Sequence, residues 1–125
     1  MTRLLLDTHT ALWWAADDRR LSDGARTALA DDENEILLSA VVVWEIAIKR
    51  GLGKLDAPST LPARLLAGGA RGLPVSLDHA AAVEELPEHH RDPFDRLLIA
   101  QAVVERGSIV SRDPLIAPYD VDVVW

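Results

Sequence analysis

The chain contains no cysteine among its 125 residues. This absence excludes disulfides, zinc–thiolate sites, iron–sulfur clusters and cysteine nucleophiles. No apolar stretch approaches the roughly 18–20 residues that a membrane-spanning helix requires. The run Leu4–Leu6 is also too short to be the apolar region of a signal peptide. We therefore expect a cytoplasmic protein that does not enter a membrane.

An excess of positive charge is also missing, because 13 basic residues face 20 acidic ones and the formal net charge is −7. A protein that coats nucleic acid would be basic. Any contact with nucleic acid must therefore use a local basic patch, metal ions or both. Hydrophobic residues make up 49% of the chain and charged residues 26%, as in an ordinary globular protein. We expect residues 1–125 to form a single domain.

Apolar runs alternate with helical periodicities along the chain. The predicted strands are Arg3–Leu6, Ile36–Ser39, Leu73–Leu77, Ser108–Ser111 and Val121–Trp125. The predicted helices are Thr8–Ala16, Leu21–Ala30, Ala40–Arg50, Leu61–Ala67, Asp78–Leu86 and Asp92–Arg106, with Ser22 as N-cap of the second, Asp78 as N-cap of the fifth and Gly107 as C-cap of the sixth. This order predicts an α/β fold with a short parallel sheet of about four or five strands, flanked by helices on both faces.

Acidic residues recur near the edge where an open parallel sheet places its active site, beyond the carboxyl ends of the strands. Asp7 directly follows the first predicted strand and Asp113 follows the fourth, while Asp95 lies in the first turn of the last helix. Glu45 interrupts an apolar helix, where a charge is costly without a partner or a metal. Clustered carboxylates require a cation or shared protons, and hard ions such as Mg²⁺ and Mn²⁺ prefer oxygen ligands.

Each acid also has a purely structural explanation. The aspartates are suitable helix caps or favourable first-turn residues, and Glu45 could pair with Lys49 one helical turn later. Thr8 could hydrogen-bond a metal-binding carboxylate or simply begin a helix. Arg112, and less strongly Arg96, could hold substrate phosphates or merely balance charge.

Aromatic side chains allow two interpretations as well. The tryptophans at positions 13, 14 and 44 could stack on nucleic-acid bases, although core packing is expected for at least two of them. His89 and His90 are adjacent, and no further histidine or cysteine completes a metal site with them, so we expect a solvated loop. Leucines at positions 52, 55, 61, 65 and 66 could complete the core or line a groove for a partner helix.

Four segments carry a family resemblance across nearly the whole chain: LLLDTHTALWW, SAVVVWEIAIKRGLGKL, HHRDPFDRLLIAQA and IVSRDPLIAPYDVDVVW. The chain resembles the PIN-domain ribonucleases, in particular the VapC-type toxins of bacterial toxin–antitoxin pairs. The resemblance implies a PIN-like fold and Mg²⁺- or Mn²⁺-dependent endonucleolytic cleavage of RNA. It implies that the catalytic and metal-binding residues are Asp7, Glu45, Asp95 and Asp113, with Asp92 as a helix cap only.

The same resemblance implies partners. These are an RNA substrate such as transfer or ribosomal RNA, a cognate antitoxin protein, a second copy in a homodimer, and a toxin–antitoxin hetero-oligomer. Two other hypotheses stay open. One is a catalytically silent PIN-like module that binds RNA or protein. The other is a receiver-like signalling domain, which would need an acidic pair near its first strand and a lysine after a late strand, where this chain has Asp7 and the pair Arg112 and Asp113.

Overall fold

The computed structural model describes Met1–Trp125 and alternates strands with helices from end to end. The strands are β1 (Arg3–Leu6), β2 (Glu35–Ser39), β3 (Arg71–Leu73), β4 (Ser108–Val110) and β5 (Val123–Val124). The helices are α1 (Thr8–Ala16), α2 (Asp23–Ala30), α3 (Ala40–Gly51), α4 (Leu61–Ala67), α5 (Leu77–Ala82), followed directly by a 3₁₀ turn at Val83–Glu85, and α6 (Pro93–Glu105). None of these helices is both long and apolar enough to cross a membrane.

All five strands form one parallel sheet in the order β3-β2-β1-β4-β5. Leu4 of the central strand pairs with Ile36 on one side and with Ser108 on the other. Because every strand runs the same way, the carboxyl ends of β1, β2 and β4 meet at one edge. The prediction of a parallel α/β sheet flanked by helices is confirmed.

The hydrophobic core is built on the central strands and on the helices packed against them. Leu5, Leu6, Ile99 and Ile109 are completely buried. Burying an aliphatic side chain of this size stabilises the folded state by about 1.5–3 kcal/mol. Trp13 belongs to the same core, and Trp14 packs against it half-buried. The expectation that at least two tryptophans pack in the core is confirmed.

The third strand lies earlier than predicted. Its residues are Arg71–Leu73, which pair with Leu37–Ser39 of β2, whereas the sequence favoured Leu73–Leu77. Pro74 ends the pairing because proline has no backbone N–H to donate. Ser76 then caps α5 by accepting from the His79 backbone N–H at 3.1 Å, so the N-cap is Ser76 and not Asp78 as predicted.

The last helix ends differently from the prediction, which made Gly107 its cap. Arg106 adopts the left-handed conformation, with φ of 55°, and donates its backbone N–H to the last turn. Gly107 instead lies close against β1. A Cβ at this position would lie 2.7 Å from Leu5 Cδ1 and 3.1 Å from the Arg3 carbonyl oxygen, so a larger residue would displace the Leu5 side chain and press on the Arg3 backbone.

The leucines after α3 divide between the two roles that the sequence left open. Leu61 and Leu65 are buried in the core, and Leu55 packs against its margin. Leu52 and Leu66 are exposed. Leu66, together with the exposed Trp44, lines a cleft of about 540 Å³ between α3, α4 and β3.

Candidate functional site

Asp7 lies at the carboxyl end of β1, where it is almost completely buried. Its Oδ1 accepts from the Thr10 backbone N–H at 2.9 Å and so caps α1. Its Oδ2 accepts from Ser111 Oγ at 2.5 Å. The capping explanation is therefore correct, but it does not exclude a ligand role, because each carboxylate oxygen has two lone pairs.

Ser111 links two of the acidic positions, and the sequence argument overlooked it. Its hydroxyl donates to Asp7 and accepts from the Asp113 backbone N–H at 3.0 Å. Asp113 Oδ1 in turn accepts from the Leu115 backbone N–H at 2.9 Å and begins a turn. The ends of β1 and β4 are thus joined by hydrogen bonds. The signal was the position of Ser111 directly after a buried strand.

Glu45 is buried in the middle of α3 with only 6% of its surface exposed. Thr8 Oγ1 donates to its Oε1 at 2.6 Å, and the Lys49 ammonium lies 2.5 Å from its Oε2. The predicted pair with Lys49 exists, but it is not an exposed surface pair. The hydrogen bond with Glu45 raises the pKa of Lys49, and the negative charges of Glu45, Asp92 and Asp95 add to the shift.

Asp95 is the carboxylate whose pKa is affected by the other acids of the site. Burial and, to a smaller extent, the negative charges of Asp92, Glu45 and Asp113 together raise its pKa to about 6. A hydrogen bond from His90 acts in the opposite direction. Carboxylates interact this way only when they are close in a poorly solvated region. Three separate chain segments therefore place their charges around this one side chain.

Asp92 is the N-cap of α6, as the sequence predicted. Its Oδ1 accepts from the backbone N–H groups of Phe94 and Asp95 at 2.9 and 3.2 Å. Pro93 follows at the first helical position, where its missing N–H costs nothing.

His90 is the residue next to the acids whose surroundings the sequence argument predicted wrongly. Its side chain is only 10% exposed, so it does not belong to a solvated loop. Its Nε2 lies 3.3 Å from Asp95 Oδ2, and its Nδ1 lies 2.7 Å from the Tyr119 hydroxyl. Tyr119 follows His90 by 29 residues, which explains why local sequence offered no signal. His89 is exposed, as predicted.

The two arginines next to the acids have different surroundings. Arg96 is not available to a phosphate, because it donates to the carbonyls of Val83, Leu86 and Pro87 and to the Tyr119 hydroxyl. Arg112 is exposed, forms no ion pair, and lies with its guanidinium carbon 5.3 Å from the centre of the Trp13 ring. The preference for Arg112 over Arg96 as a substrate contact agrees with this geometry.

The donor set suits a hard divalent cation, since it consists of carboxylate oxygens without sulfur. A cation would also relieve the repulsion that raises the pKa of Asp95. No three histidine, aspartate or glutamate side chains close around a common point. The carboxylates would therefore hold an ion together with water molecules, which is how proteins usually bind Mg²⁺.

Comparisons with known proteins agree with this architecture. The model of the PIN domain family matches residues 4–121. Ribonuclease VapC22 of Mycobacterium tuberculosis is 32% identical over 116 residues, which cover 90% of this chain and 88% of that protein. Ribonuclease VapC16 of the same organism is 46% identical over 59 residues, covering 44% of this chain and 40% of that protein.

Solved structures show the same fold. VapBC2 of Rickettsia felis, bound to a DNA fragment from its promoter, has a TM-score of 0.71 at 15% identity, covering 97% of this chain and 96% of that one. VapC20 of Mycobacterium tuberculosis, described as a sarcin–ricin loop cleaving toxin, has a TM-score of 0.63 at 18% identity, covering 92% and 93%. The family match excludes the receiver-like alternative. The chain belongs to the PIN-domain family and is a homologue of the VapC toxin ribonucleases.

Proposed function

We propose that residues 1–125 form a single PIN domain that acts as a metal-dependent endoribonuclease and as the toxin of a toxin–antitoxin pair. The catalytic and metal-binding residues are Asp7, Glu45, Asp95 and Asp113. The observation that carries the proposal is the raised pKa of Asp95, which the charges of Glu45 and Asp113 help to produce. Helix capping alone gives no reason for these acids to interact.

The side chains around the acids hold each carboxylate in place. Ser111 and the Thr10 backbone N–H fix Asp7, and Thr8 fixes Glu45 from the first residue of the same helix α1. Such second partners orient ligating groups, and their loss typically costs 10–100-fold in metal affinity or activity, a range that we take as about the size expected here. The geometry supports a positioning role for Thr8.

A bound Mg²⁺ or Mn²⁺ would supply positive charge at the scissile phosphate and make a nearby water more acidic. The acids would hold the ion and orient that water, so no side-chain nucleophile is needed. Lys49 would offset part of the negative charge that otherwise repels an RNA backbone. This division of work explains how a chain of net charge −7 could act on a polyanion.

Arg112 is the proposed contact for an RNA phosphate next to the cut. It directly precedes Asp113, and no carboxylate competes for its guanidinium. Arg20 also lies over the Trp13 ring, but a hydrogen-bonded ion pair with Asp18 occupies it. Arg112 therefore offers a free guanidinium beside the acidic edge, which Arg20 does not.

A cognate antitoxin is the proposed protein partner, with a homodimer and a toxin–antitoxin hetero-oligomer as the assemblies. The VapBC2 structure of Rickettsia felis, which has the same fold, supports this because VapBC2 is a toxin–antitoxin complex. The exposed Trp44 and Leu66 of the cleft between α3 and α4 offer apolar surface for such a contact. A basic antitoxin segment would be attracted to the acidic edge, so its binding should weaken as salt increases.

The deciding experiment is cleavage of purified transfer and ribosomal RNA by the full chain. We expect cleavage with Mg²⁺ or Mn²⁺, none with EDTA, and none by Asp7→Asn, which keeps the helix cap but loses the anionic oxygen. Asp17→Asn is the matched control, because Asp17 lies at the other end of α1 and pairs only with Arg26. Absence of metal-dependent cleavage by the wild type would instead favour the catalytically silent RNA- or protein-binding module.

A further inference from the structure

His90 stands between Asp95 and Tyr119, and both of its ring nitrogens are engaged. Nε2 is 3.3 Å from Asp95 Oδ2, and Nδ1 is 2.7 Å from the Tyr119 hydroxyl. His90 is 10% exposed at its side chain, and Tyr119 is 3% exposed. An imidazole so enclosed cannot exchange its partners for water, so the protein decides which nitrogen carries the proton.

Hydrogen-bond accounting at the Tyr119 oxygen determines that choice. The oxygen already accepts from the His90 backbone N–H at 3.3 Å and from Arg96 at 3.2 Å. A phenol oxygen with two donors directed at it has its own O–H left to donate. The remaining neighbour is His90 Nδ1, which must therefore be the unprotonated acceptor. The proton of the neutral ring is then on Nε2 and is directed at Asp95.

Arg96 makes this arrangement rigid. It donates to the carbonyls of Val83, Leu86 and Pro87, and it thereby ties the segment before His90 to the first turns of α6. Tyr119 belongs to the hydrophobic core, so its hydroxyl is held from below. The imidazole is thus fixed in position as well as in tautomer, while the exposed His89 beside it packs its ring edge-on against Tyr119.

We propose that His90 and Tyr119 are positioning residues for Asp95: Tyr119 donates to His90 Nδ1, and the Nε2–H of His90 donates to the Asp95 carboxylate and sets its orientation. The inference rests on the proposed function for its effect on cleavage, but not for the tautomer itself. Its consequence is that Asp95 presents a defined oxygen to the other acids, with the second oxygen held by the imidazole.

The tautomer can be measured without RNA or metal, by the imidazole ¹⁵N chemical shifts of the full chain at pH 8 in EDTA. We expect Nε2 of His90 to carry a proton and Nδ1 to carry none. In Tyr119→Phe, which keeps the buried ring but loses the hydroxyl, the Asp95 carboxylate still accepts from Nε2, so we expect the same tautomer with an Nδ1 chemical shift changed by the loss of its hydrogen-bond donor. A proton on Nδ1 in the wild type, or an unchanged Nδ1 shift in Tyr119→Phe, would overturn the inference.

Cleavage kinetics test the positioning role. Loss of a residue that orients a ligand typically costs 10–100-fold, so we expect kcat of His90→Ala to fall by roughly that factor while KM changes by less than about twofold. Tyr119→Phe should lose less, about tenfold at most, because the imidazole remains in place. His90→Gln retains an amide N–H near the position of Nε2 and should recover part of the rate.

Glu88→Gln is the matched control, because Glu88 is exposed in the same loop, and its kcat should equal that of the wild type. Equal kcat in His90→Ala and the wild type would contradict the positioning role, as would a loss in His90→Gln as large as that in His90→Ala. A wild type that cleaves no RNA would overturn the proposed function alone, because the tautomer measurement would still decide the link between His90 and Tyr119.

Discussion

The carboxylates at the amino and carboxyl edges of the sheet differ in how many basic partners they have. At the amino edge, Glu35 pairs with Arg3 and Arg71 at 3.4 and 2.9 Å, and Glu105 pairs with Arg3 and His79 at 3.3 and 2.9 Å. Each of these two carboxylates has two basic or imidazole partners. Such partly exposed pairs add little stability, but they neutralise both side chains.

At the carboxyl edge, most of the carboxylates have no basic partner. Among the acids there, only Glu45 has a basic partner, Lys49, besides the imidazole next to Asp95. Burial raises the pKa of Asp95, and the negative charges of Asp92, Glu45 and Asp113 add to that shift. The difference between the two edges identifies the carboxyl edge as the place where a cation is expected.

The largest expected effect is a difference in RNA cleavage between variants at the two edges of the sheet. Asp95→Asn should reduce RNA cleavage by more than about 100-fold, which exceeds the usual effect of losing an outer partner, because it removes an anionic ligand while leaving the volume unchanged. Glu35→Gln at the amino edge should cleave RNA at the wild-type rate. Equal loss in both variants, measured on the same RNA, would remove the distinction between the edges.

Metal binding should stabilise the wild type through the carboxyl edge. A ligand at 100 times its Kd raises the free energy of unfolding by about 2.7 kcal/mol. We expect the melting temperature of the wild type to increase with Mg²⁺, measured against KCl of equal ionic strength, and that of Asp95→Asn to increase much less. Glu35→Gln should respond as the wild type does, and a Mg²⁺ effect of the same size in Asp95→Asn would count against a shared site.

Without metal, we expect the ionised Asp95 to destabilise the folded state, so its replacement should increase stability. Its pKa rises from 3.8 to about 6 on folding, so it binds its proton more tightly in the folded chain. Its contribution to stability is complete below pH 3.8, decreases between pH 3.8 and about 6, and is absent above that.

Asp95→Asn should therefore melt at a higher temperature than the wild type in EDTA at pH 7, and the difference should disappear near pH 4. Allowing for screening by solvent, the gain is on the order of 1–2 kcal/mol. Thermal melts of both proteins across this pH range measure it. A variant that is less stable than the wild type at pH 7 would show that the acids do not repel one another at this edge.

The smallest effect belongs to the amino edge. Glu35→Gln removes two partly exposed ion pairs and should lower the free energy of unfolding by about 0–1 kcal/mol. The loss should shrink at high salt, because exposed charges are screened. Urea titrations at low and high ionic strength give the comparison. A loss that persists at high salt would mean that the Glu35 ion pairs are not screened by solvent as exposed pairs are.

Much of this architecture was determined by the sequence, wherever the signal is local. The first strand and the helix Thr8–Ala16 have the predicted bounds, and Ser22 and Asp92 cap their helices as predicted. The alternation of strands with helices predicted the parallel sheet, and the position of each acid after a strand or in a helix turn predicted the candidate site. These features succeed because capping, helical periodicity and strand burial depend on residues a few positions apart.

The tertiary structure alone decided what depends on distant residues. Pairing with β2 moved the third strand to Arg71–Leu73, and Ser111 acquired its role by meeting Asp7 from 104 residues away. His90 was removed from solvent by Tyr119 and directed at Asp95. Only packing sets the separation of carboxylates on different elements, and Coulomb repulsion and desolvation depend on that separation. The imbalance of charge at one edge of the sheet is therefore a property of the fold.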